Sequence, residues 1–160
     1  MNTPESATPL GTEPPLSSRF LFEVDGVEIG LFGSVQGLSV SAQTEDLVEG
    51  GQNGYAIKLP GRLEWPNIVF SRGLTQSDAL FDWMQRTSGE GFAANGNKVT
   101  RSTGAITAIA GNGQRLRSWS LAGVLPIRWK GPDFDGSAAS VLSEELEITH
   151  QGFRAADVNK

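Results

Sequence analysis

Glycine, proline and short polar runs divide this chain into brief stretches in which apolar and polar residues alternate. The sequence contains 20 glycines and 8 prolines, which supply many turn positions. An alternation of period two places one side of a stretch in a core and the other side in solvent, as in a half-buried strand. Turn signals between such stretches favour a β-rich domain over a helical bundle.

The N-terminal region divides into an arm and a first hairpin. Residues 1–17 are rich in proline, serine, threonine and glutamate, and this composition predicts a flexible arm ahead of a single domain at 18–160. Order is expected to begin at Arg19. An alternating stretch then leads through the Asp25–Gly26 pair into a returning strand at 27–32, because this dipeptide is typical of tight turns.

A second hairpin is predicted in the C-terminal half. The stretches 105–110 and 114–125 flank the residues 111–113, which are Gly-Asn-Gly. Pro126 has no backbone N–H, so we expect it to interrupt the returning strand.

Residues 39–54 lack the apolar alternation and predict a polar, flexible loop that is too long for a tight hairpin turn. Long loops in compact domains are usually functional or disordered. The stretches 55–59 and 63–70 are expected to be extended, with Pro66 marking an edge or a bulge. The loop carries acids, glycines and an asparagine that are candidates for contacts between copies, namely Glu45, Asp46, Glu49, Gly50, Gly51 and Asn53.

One helix is predicted at about 75–87. Thr75 is placed to cap it, with Asp78 three residues later in a variant of the capping box. Leu80, Trp83 and Met84 share one face at helical spacing. The helix is expected to end near Gly89.

The last apolar stretch predicts a half-buried strand with an acidic outer row. One face holds Leu142, Leu146, Ile148 and His150, and the other holds Ser143, Glu145, Glu147 and Thr149.

Composition narrows the range of functions. The net charge of −5 lacks the positive field that holds nucleic acid backbones, so no sequence-specific nucleic acid partner is expected. There is no cysteine, which excludes disulfides and cysteine-based metal sites, and the single histidine excludes sites that need two imidazoles.

The start has no secretory pattern, and no stretch approaches the ~20 apolar residues of a membrane span. A soluble chain without a signal peptide or membrane insertion is expected.

Few residues of the sequence could support an enzyme activity. His150 is the only histidine base for a serine hydrolase, and Ser34 stands one place too early for a nucleophile elbow. His150 is therefore expected to be a packed or hydrogen-bonded residue at a strand end. Glu145 and Glu147 lie on one side of a strand, as a glycosidase pair would, but adjacent like charges are more typical of a solvated or subunit-facing row.

The four tryptophans raise a second binding hypothesis, a carbohydrate-binding β-sandwich. Trp65, Trp83, Trp119 and Trp129 could line a sugar platform. Trp83 lies on the apolar helix stripe, and core packing is the expectation for most of the four.

The ordered series of these elements, from about Arg19 to Phe153, resembles the tail tube protein family of contractile phage tails and extracellular contractile injection systems. The segments that carry the resemblance are 20–26 (FLFEVDG), 35–39 (VQGLS), 49–53 (EGGQN), 58–61 (KLPG), 71–74 (SRGL), 80–83 (LFDW), Trp119, 126–132 (PIRWKGP) and 144–152 (EELEITHQG).

The resemblance implies a mainly β fold, in which two packed antiparallel sheets form a small barrel or sandwich with one flanking helix. It implies six copies in a ring and stacked rings that make a hollow inner tube for cargo or DNA. It also implies no enzyme activity, metal or cofactor. Sheath, baseplate and spike proteins are the implied partners, and assembly in the cytoplasm of the producing cell precedes incorporation into a particle. In such a tube, Glu145 and Glu147 are expected to face the lumen.

Three alternatives stay open from the sequence. A ring protein of type VI secretion would share the fold, although the segments 58–61 and 128–132 are closer to the phage and extracellular branch. A carbohydrate-binding sandwich and a carboxylate glycosidase are the others. The direction in which Glu145 and Glu147 face, a concave pocket or an open surface, separates the glycosidase from a structural protein.

Overall fold

The computed structural model describes residues 19–51, 53–137 and 141–157. The arm predicted at 1–17 lies outside these residues. The elements in chain order are β1 (Arg19–Val24), β2 (Val27–Phe32), β3 (Ser34–Gln36), β4 (Ser41–Leu47), β5 (Ile57–Glu64), β6 (Ile68–Gly73), α1 (Ala79–Thr87), α2 (Gly89–Ala94), β7 (Ser102–Ile109), β8 (Arg115–Lys130), β9 (Ser143–Thr149) and β10 (Phe153–Ala156).

The strands are antiparallel and confirm the predicted mainly β fold. The main path runs β2-β1-β7-β8-β9-β6-β3, with β10 beside β8, and β4 and β5 form a separate pair. Strand β8 is long enough to pair with strands of two sheets. Its first half pairs with β7 and β10, and its second half pairs with β9, so the chain bends from one sheet into the other within β8.

Closure of the main path depends on one short connection. Strands β2 and β3 stand at opposite ends of the path, yet only Gly33 separates them in the chain. The N–H of Gly33 donates to the carbonyl of Ser71 on β6 at 2.9 Å. The path of strands therefore returns on itself as a small barrel, as predicted.

The core lies between the two sheets and beneath α1. Phe22 of β1 stacks on Phe70 of β6 at 4.5 Å between ring centroids, and Trp83 of α1 meets Phe22 edge-on at 5.8 Å. Leu80 and Trp83 are buried on the inner face of α1, with Met84 packed beside them. This is the predicted apolar stripe of the helix.

The helical region differs from the prediction at the start of the helix and in the connection that follows it, whereas α1 ends at Thr87 as predicted. Helix α1 begins at Ala79 rather than near Thr75, and Asp78 makes no side-chain capping bond. The hydroxyl of Thr75 instead accepts the N–H of Ser77 at 3.3 Å, so this residue belongs to a local turn ahead of the helix. The Gly/Asn-rich connection contains a second short helix, α2. Within the described residues, neither helix is long and apolar enough to cross a membrane.

The expectation that Pro126 interrupts its strand is wrong. Strand β8 continues to Lys130, and the register with β9 shifts between Pro126 and Arg128. A bulge of this kind accommodates a proline without ending the strand. The two predicted hairpins are confirmed. The first turns at Asp25 and Gly26, both with positive φ.

Candidate functional site: assembly surfaces

Part of the stretch predicted as a loop at 39–54 is a strand. Residues 41–47 form β4, which pairs with β5 in an isolated two-stranded hairpin. Every residue of both strands is exposed. A strand exposed on both faces needs no alternation of apolar and polar residues, so its sequence carries no period-two signal.

The candidate interface residues are divided between the strand and the turn of this hairpin. Glu45 and Asp46 lie on β4. Glu49, Gly50, Gly51 and Asn53 lie in the turn region between β4 and β5, where Gly51 has a φ of +95°. The hairpin therefore brings the predicted residues to one protruding element, and their contact with another copy stays a prediction.

The two faces of the hairpin differ in chemistry. Leu47 pairs with Ile57, and Glu45 pairs with Leu59. Cross-strand partners share a face, so these four residues form one surface, here called the apolar hairpin face. The opposite face carries an ion pair between Lys58 Nζ and Asp46 Oδ1 at 2.8 Å.

The base of the hairpin is anchored by the connection between β5 and β6. The ring of Trp65 lies edge-on to Phe153 at 5.1 Å and to the imidazole of His150 at 6.0 Å. A Cβ on Gly152 would lie only 3.2 Å from the Trp65 ring, so the glycine allows this close approach.

His150 is buried and both of its ring nitrogens are bonded. Nδ1 accepts the N–H of Gly152 at 3.1 Å, and Nε2 lies 2.9 Å from the carbonyl oxygen of Pro66. An acceptor at Nδ1 and a carbonyl at Nε2 require a neutral ring with its proton on Nε2. The prediction of a packed, hydrogen-bonded histidine at a strand end is confirmed.

Strand β9 shows the predicted alternation. Leu146 and Ile148 are fully buried. Glu145 and Glu147 are half-buried on the opposite face. Neither carboxylate lines the open groove beside β2 or the open groove beside α1.

Glu147 is held by two neighbours. Its carboxylate accepts a hydrogen bond from Asn67 Nδ2 at 3.0 Å and another from Arg128 Nε at 2.9 Å. The bond from Asn67 and the bond and charge of Arg128 hold the pKa of Glu147 below its ordinary value. The predicted acidic row is thus partly neutralised by a cation from β8.

Glu144 is a buried residue that the sequence analysis missed. Its carboxylate accepts hydrogen bonds from Arg72 Nε and, at 3.1 Å, from Trp129 Nε1. The alternation of β9 places Glu144 on the same side as Leu146, and that parity was the signal available in the sequence.

The four tryptophans have separate surroundings. Trp83 lies in the core, and Trp129 meets Phe81 of α1 edge-on at 4.8 Å. Trp65 covers the His150 region, and Trp119 packs against the core cluster. No two of their rings are in contact within the described residues, so they form no common platform for a sugar.

Comparison with known proteins gives a consistent picture. A family model described as T4-like virus tail tube protein gp19 matches residues 16–154. No curated protein matches the chain significantly.

Three solved structures share the fold across nearly their whole length. One is a chain of the extracellular contractile injection system PVC sheath-tube complex in the extended state, with TM-score 0.71, 24% identity and coverage of 92% of this chain and 93% of that chain. A chain of the anti-feeding prophage tube-terminating cap matches with TM-score 0.71, 21% identity and coverage of 98% and 100%. A chain of the anti-feeding prophage baseplate matches with TM-score 0.69, 22% identity and coverage of 96% and 99%.

Proposed function

The chain belongs to the T4-like virus tail tube protein family, and we propose that six copies close into a ring whose stacked repeats form the hollow inner tube of a phage tail or contractile injection system. The β4–β5 hairpin is the observation that carries this proposal. It protrudes from the domain with both of its strands exposed.

A two-stranded hairpin is marginally stable in water when nothing covers it. The described residues show no extensive packing of β4 or β5 against another strand or helix. The apolar hairpin face leaves Leu47, Ile57 and Leu59 between 37% and 45% exposed. A second copy of the chain that covers this face would bury these side chains and order the turn that holds Glu49, Gly50, Gly51 and Asn53.

The ends of the main strand path favour association as well. The chain joins β2 to β3 through Gly33 without a ladder between them, so among the described residues each of these strands has a strand partner on one side only, and β2 also exposes Val27 and Leu31. Unpaired strand edges are sites where another chain adds. A contact between two different surfaces of identical copies closes into a ring when the rotation between copies divides a full turn.

Glu145 and Glu147 are proposed to face the lumen of the tube. A ring of carboxylates repels anionic cargo and limits its adhesion to the wall. Because Glu147 is bonded to Arg128, Glu145 would supply more of the unpaired negative charge. A map of the assembled tube with both side chains pointing outward, or buried at a subunit contact, would overturn this placement.

The proposed role is structural, with no enzyme activity and no cofactor. The tryptophans are separate from one another, and Glu145 and Glu147 line neither the groove beside β2 nor the groove beside α1. Both observations support a structural role over a sugar-binding site or a glycosidase pair. The proposed partners are further copies of the chain, with sheath, baseplate and spike proteins of the same particle around them and cargo inside. Assembly is proposed to take place in the producing cell, without membrane insertion or sequence-specific nucleic acid binding.

The test measures the mass of the assemblies that the purified chain forms and images them by negative-stain microscopy. The chain is produced alone and together with its sheath and baseplate proteins. Rings that stack into tubes in negative-stain images are expected. Deleting 49–53 should prevent tube growth while leaving the domain folded, and replacing the same residues with an equally long glycine-serine segment separates loop length from side-chain chemistry. A monodisperse monomer at high concentration, with no rings under either condition, contradicts the proposal. Saturable glycan binding would instead support the carbohydrate-binding alternative.

A further inference from the structure

His150 connects the base of the β4–β5 hairpin to the turn between β9 and β10. Its Nε2 lies 2.9 Å from the Pro66 carbonyl, in the connection that follows β5. Its Nδ1 accepts the N–H of Gly152 at 3.1 Å. The same turn is tied to β8, since the N–H of Ala122 donates to the Gly152 carbonyl at 2.9 Å. The imidazole thus joins the hairpin base to the body of the domain, beside the contact of Trp65 with Phe153.

This arrangement depends on a neutral ring. A second proton on Nδ1 would place an N–H against the N–H of Gly152, and the bond between them would be lost. His150 is 6% exposed, and Trp65 and Phe153 lie against its ring. An imidazolium there would be largely removed from water.

The charged groups near the ring do not compensate such a positive charge. Glu64 precedes Trp65 and is exposed, where it accepts a hydrogen bond from Gln43. Arg154 follows Phe153 and is also exposed. Glu147 is engaged by Asn67, next to Pro66, and by Arg128. Among the ion pairs of the described residues, none includes His150.

We propose that His150 is a positioning residue for assembly: its neutral ring holds the hairpin in the direction that another copy can cover, and its protonation releases the hairpin base and takes rings and tubes apart. The inference rests on the proposed function of the hairpin as an assembly surface. Histidine is the side chain whose ordinary titration falls between about pH 5 and pH 8. The chain has only one histidine, so a loss of assembly in this range can be assigned to a single side chain.

The test compares the unaltered chain with His150→Gln at about pH 7.5 and about pH 5.5, a range above the ordinary carboxyl pKa of about 4. Glutamine carries a donor and an acceptor, as the neutral imidazole does, so its amide nitrogen can donate to Pro66 and its oxygen can accept the N–H of Gly152, but the amide does not titrate. Tubes of the unaltered chain should fall at least tenfold in sedimented yield at the lower pH and return on neutralisation, a change of about the size expected for one lost hydrogen bond. Tubes of His150→Gln should persist at both values.

A second measurement keeps the test decisive if His150→Gln does not fold. Amide exchange at Gly152 in the unaltered chain should accelerate as the imidazole resonance titrates, after correction for the intrinsic pH dependence of exchange. The control is amide exchange at Ala108 of β7. This residue is buried and lies far from His150 in the sequence.

The outcomes are distinguishable. Equal tube yield at both pH values overturns the role of His150 and leaves the tube proposal intact. Acid loss that is the same in His150→Gln assigns the sensitivity to carboxylates and also overturns it, as does Gly152 exchange that ignores the imidazole titration. The absence of tubes at every pH contradicts the proposed function itself.

Discussion

Arg72 donates a hydrogen bond from its Nε to the carboxylate of Glu144, and both side chains are buried between the neighbouring strands β6 and β9. Trp129 on β8 donates a second bond to the same carboxylate at 3.1 Å. The guanidinium also lies over the ring of Phe32 on β2, 4.8 Å from its centroid. Four strands are therefore joined through one buried ion pair and its neighbours.

Removing the charge of Glu144 should destabilise the fold strongly. Glu144→Gln keeps the shape but leaves the Arg72 cation without its counter-ion, and breaking one side of a buried pair costs about 3 to 5 kcal/mol. Urea unfolding of the domain measures this as a loss of free energy of unfolding. Glu145→Gln is the matched control on the same strand, where a change below about 0.5 kcal/mol is expected.

The paired replacement Arg72→Met with Glu144→Leu separates charge from packing. Apolar residues of similar volume often replace a buried ion pair at little cost. The double variant should therefore be more stable than Glu144→Gln. If Glu144→Gln and the double variant both unfold at the same urea concentration as the unaltered chain, the pair makes no contribution to stability.

Local signals were sufficient to predict much of this fold. The Asp25–Gly26 turn, the Gly-Asn-Gly turn at 111–113 and the alternation around Leu146 each depend on residues close in sequence. Turn conformation and one-sided burial follow from short segments, so these elements could be predicted from sequence.

The remainder depends on contacts between distant residues. The ion pair of Arg72 with Glu144 joins residues 72 positions apart, and the hairpin formed by β4 and β5 has no buried face in this chain to leave a pattern. The direction that Glu145 and Glu147 face in a tube is set by other copies of the chain. Sequence periodicity contains no information about that surface.

Leu146→Ala should reduce the free energy of unfolding by about 2 to 5 kcal/mol, because the side chain is fully buried and its removal leaves a cavity. Thermal or urea unfolding measures the change. Glu147→Gln on the adjacent, partly exposed position should cost much less than Leu146→Ala, because an exposed ion pair contributes little to stability. Equal effects of the two substitutions would show that β9 does not have one buried face.

Gly37→Ala should be more destabilising than Gly113→Ala. Both glycines have positive φ, +87° and +86°, so each alanine pays a similar backbone penalty of about 1 to 2 kcal/mol. A Cβ at Gly37 would also lie 2.1 Å from the backbone oxygen of Asn67, whereas nothing lies within 4 Å of a Cβ at Gly113. The difference between the two free energies of unfolding isolates the clash, and a difference of zero would contradict it.

Carbon NMR titration of Glu147 should give a pKa below the ordinary glutamate value, since Asn67 and Arg128 stabilise its charged form. Because the pKa is lowered on folding, these bonds stabilise the domain above the unfolded pKa, and that stability is lost as the pH falls through the folded pKa. Asn67→Ala should raise the pKa of Glu147 toward its ordinary value. Asp135, whose pKa is lowered by hydrogen bonds from Ser137, is the control whose titration should be the same in both proteins. An unchanged Glu147 titration in Asn67→Ala would exclude the bond from Asn67 as a cause.

Substitutions on the apolar hairpin face should separate assembly from folding. Leu59→Ser removes an exposed apolar side chain that a second copy is proposed to bury, and burial of a leucine contributes about 1.5 to 3 kcal/mol. The concentration needed for tube formation should therefore rise at least about tenfold, while the free energy of unfolding of the monomer changes by less than about 0.5 kcal/mol.

Leu63→Ser is the matched control, because the register shift between Ala42 and Thr44 places Leu63 on the opposite face, with the Asp46–Lys58 ion pair. Sedimentation at a series of protein concentrations measures the threshold of each variant. Equal thresholds for Leu59→Ser and Leu63→Ser would show that the apolar face has no special part in assembly, even if tubes still form.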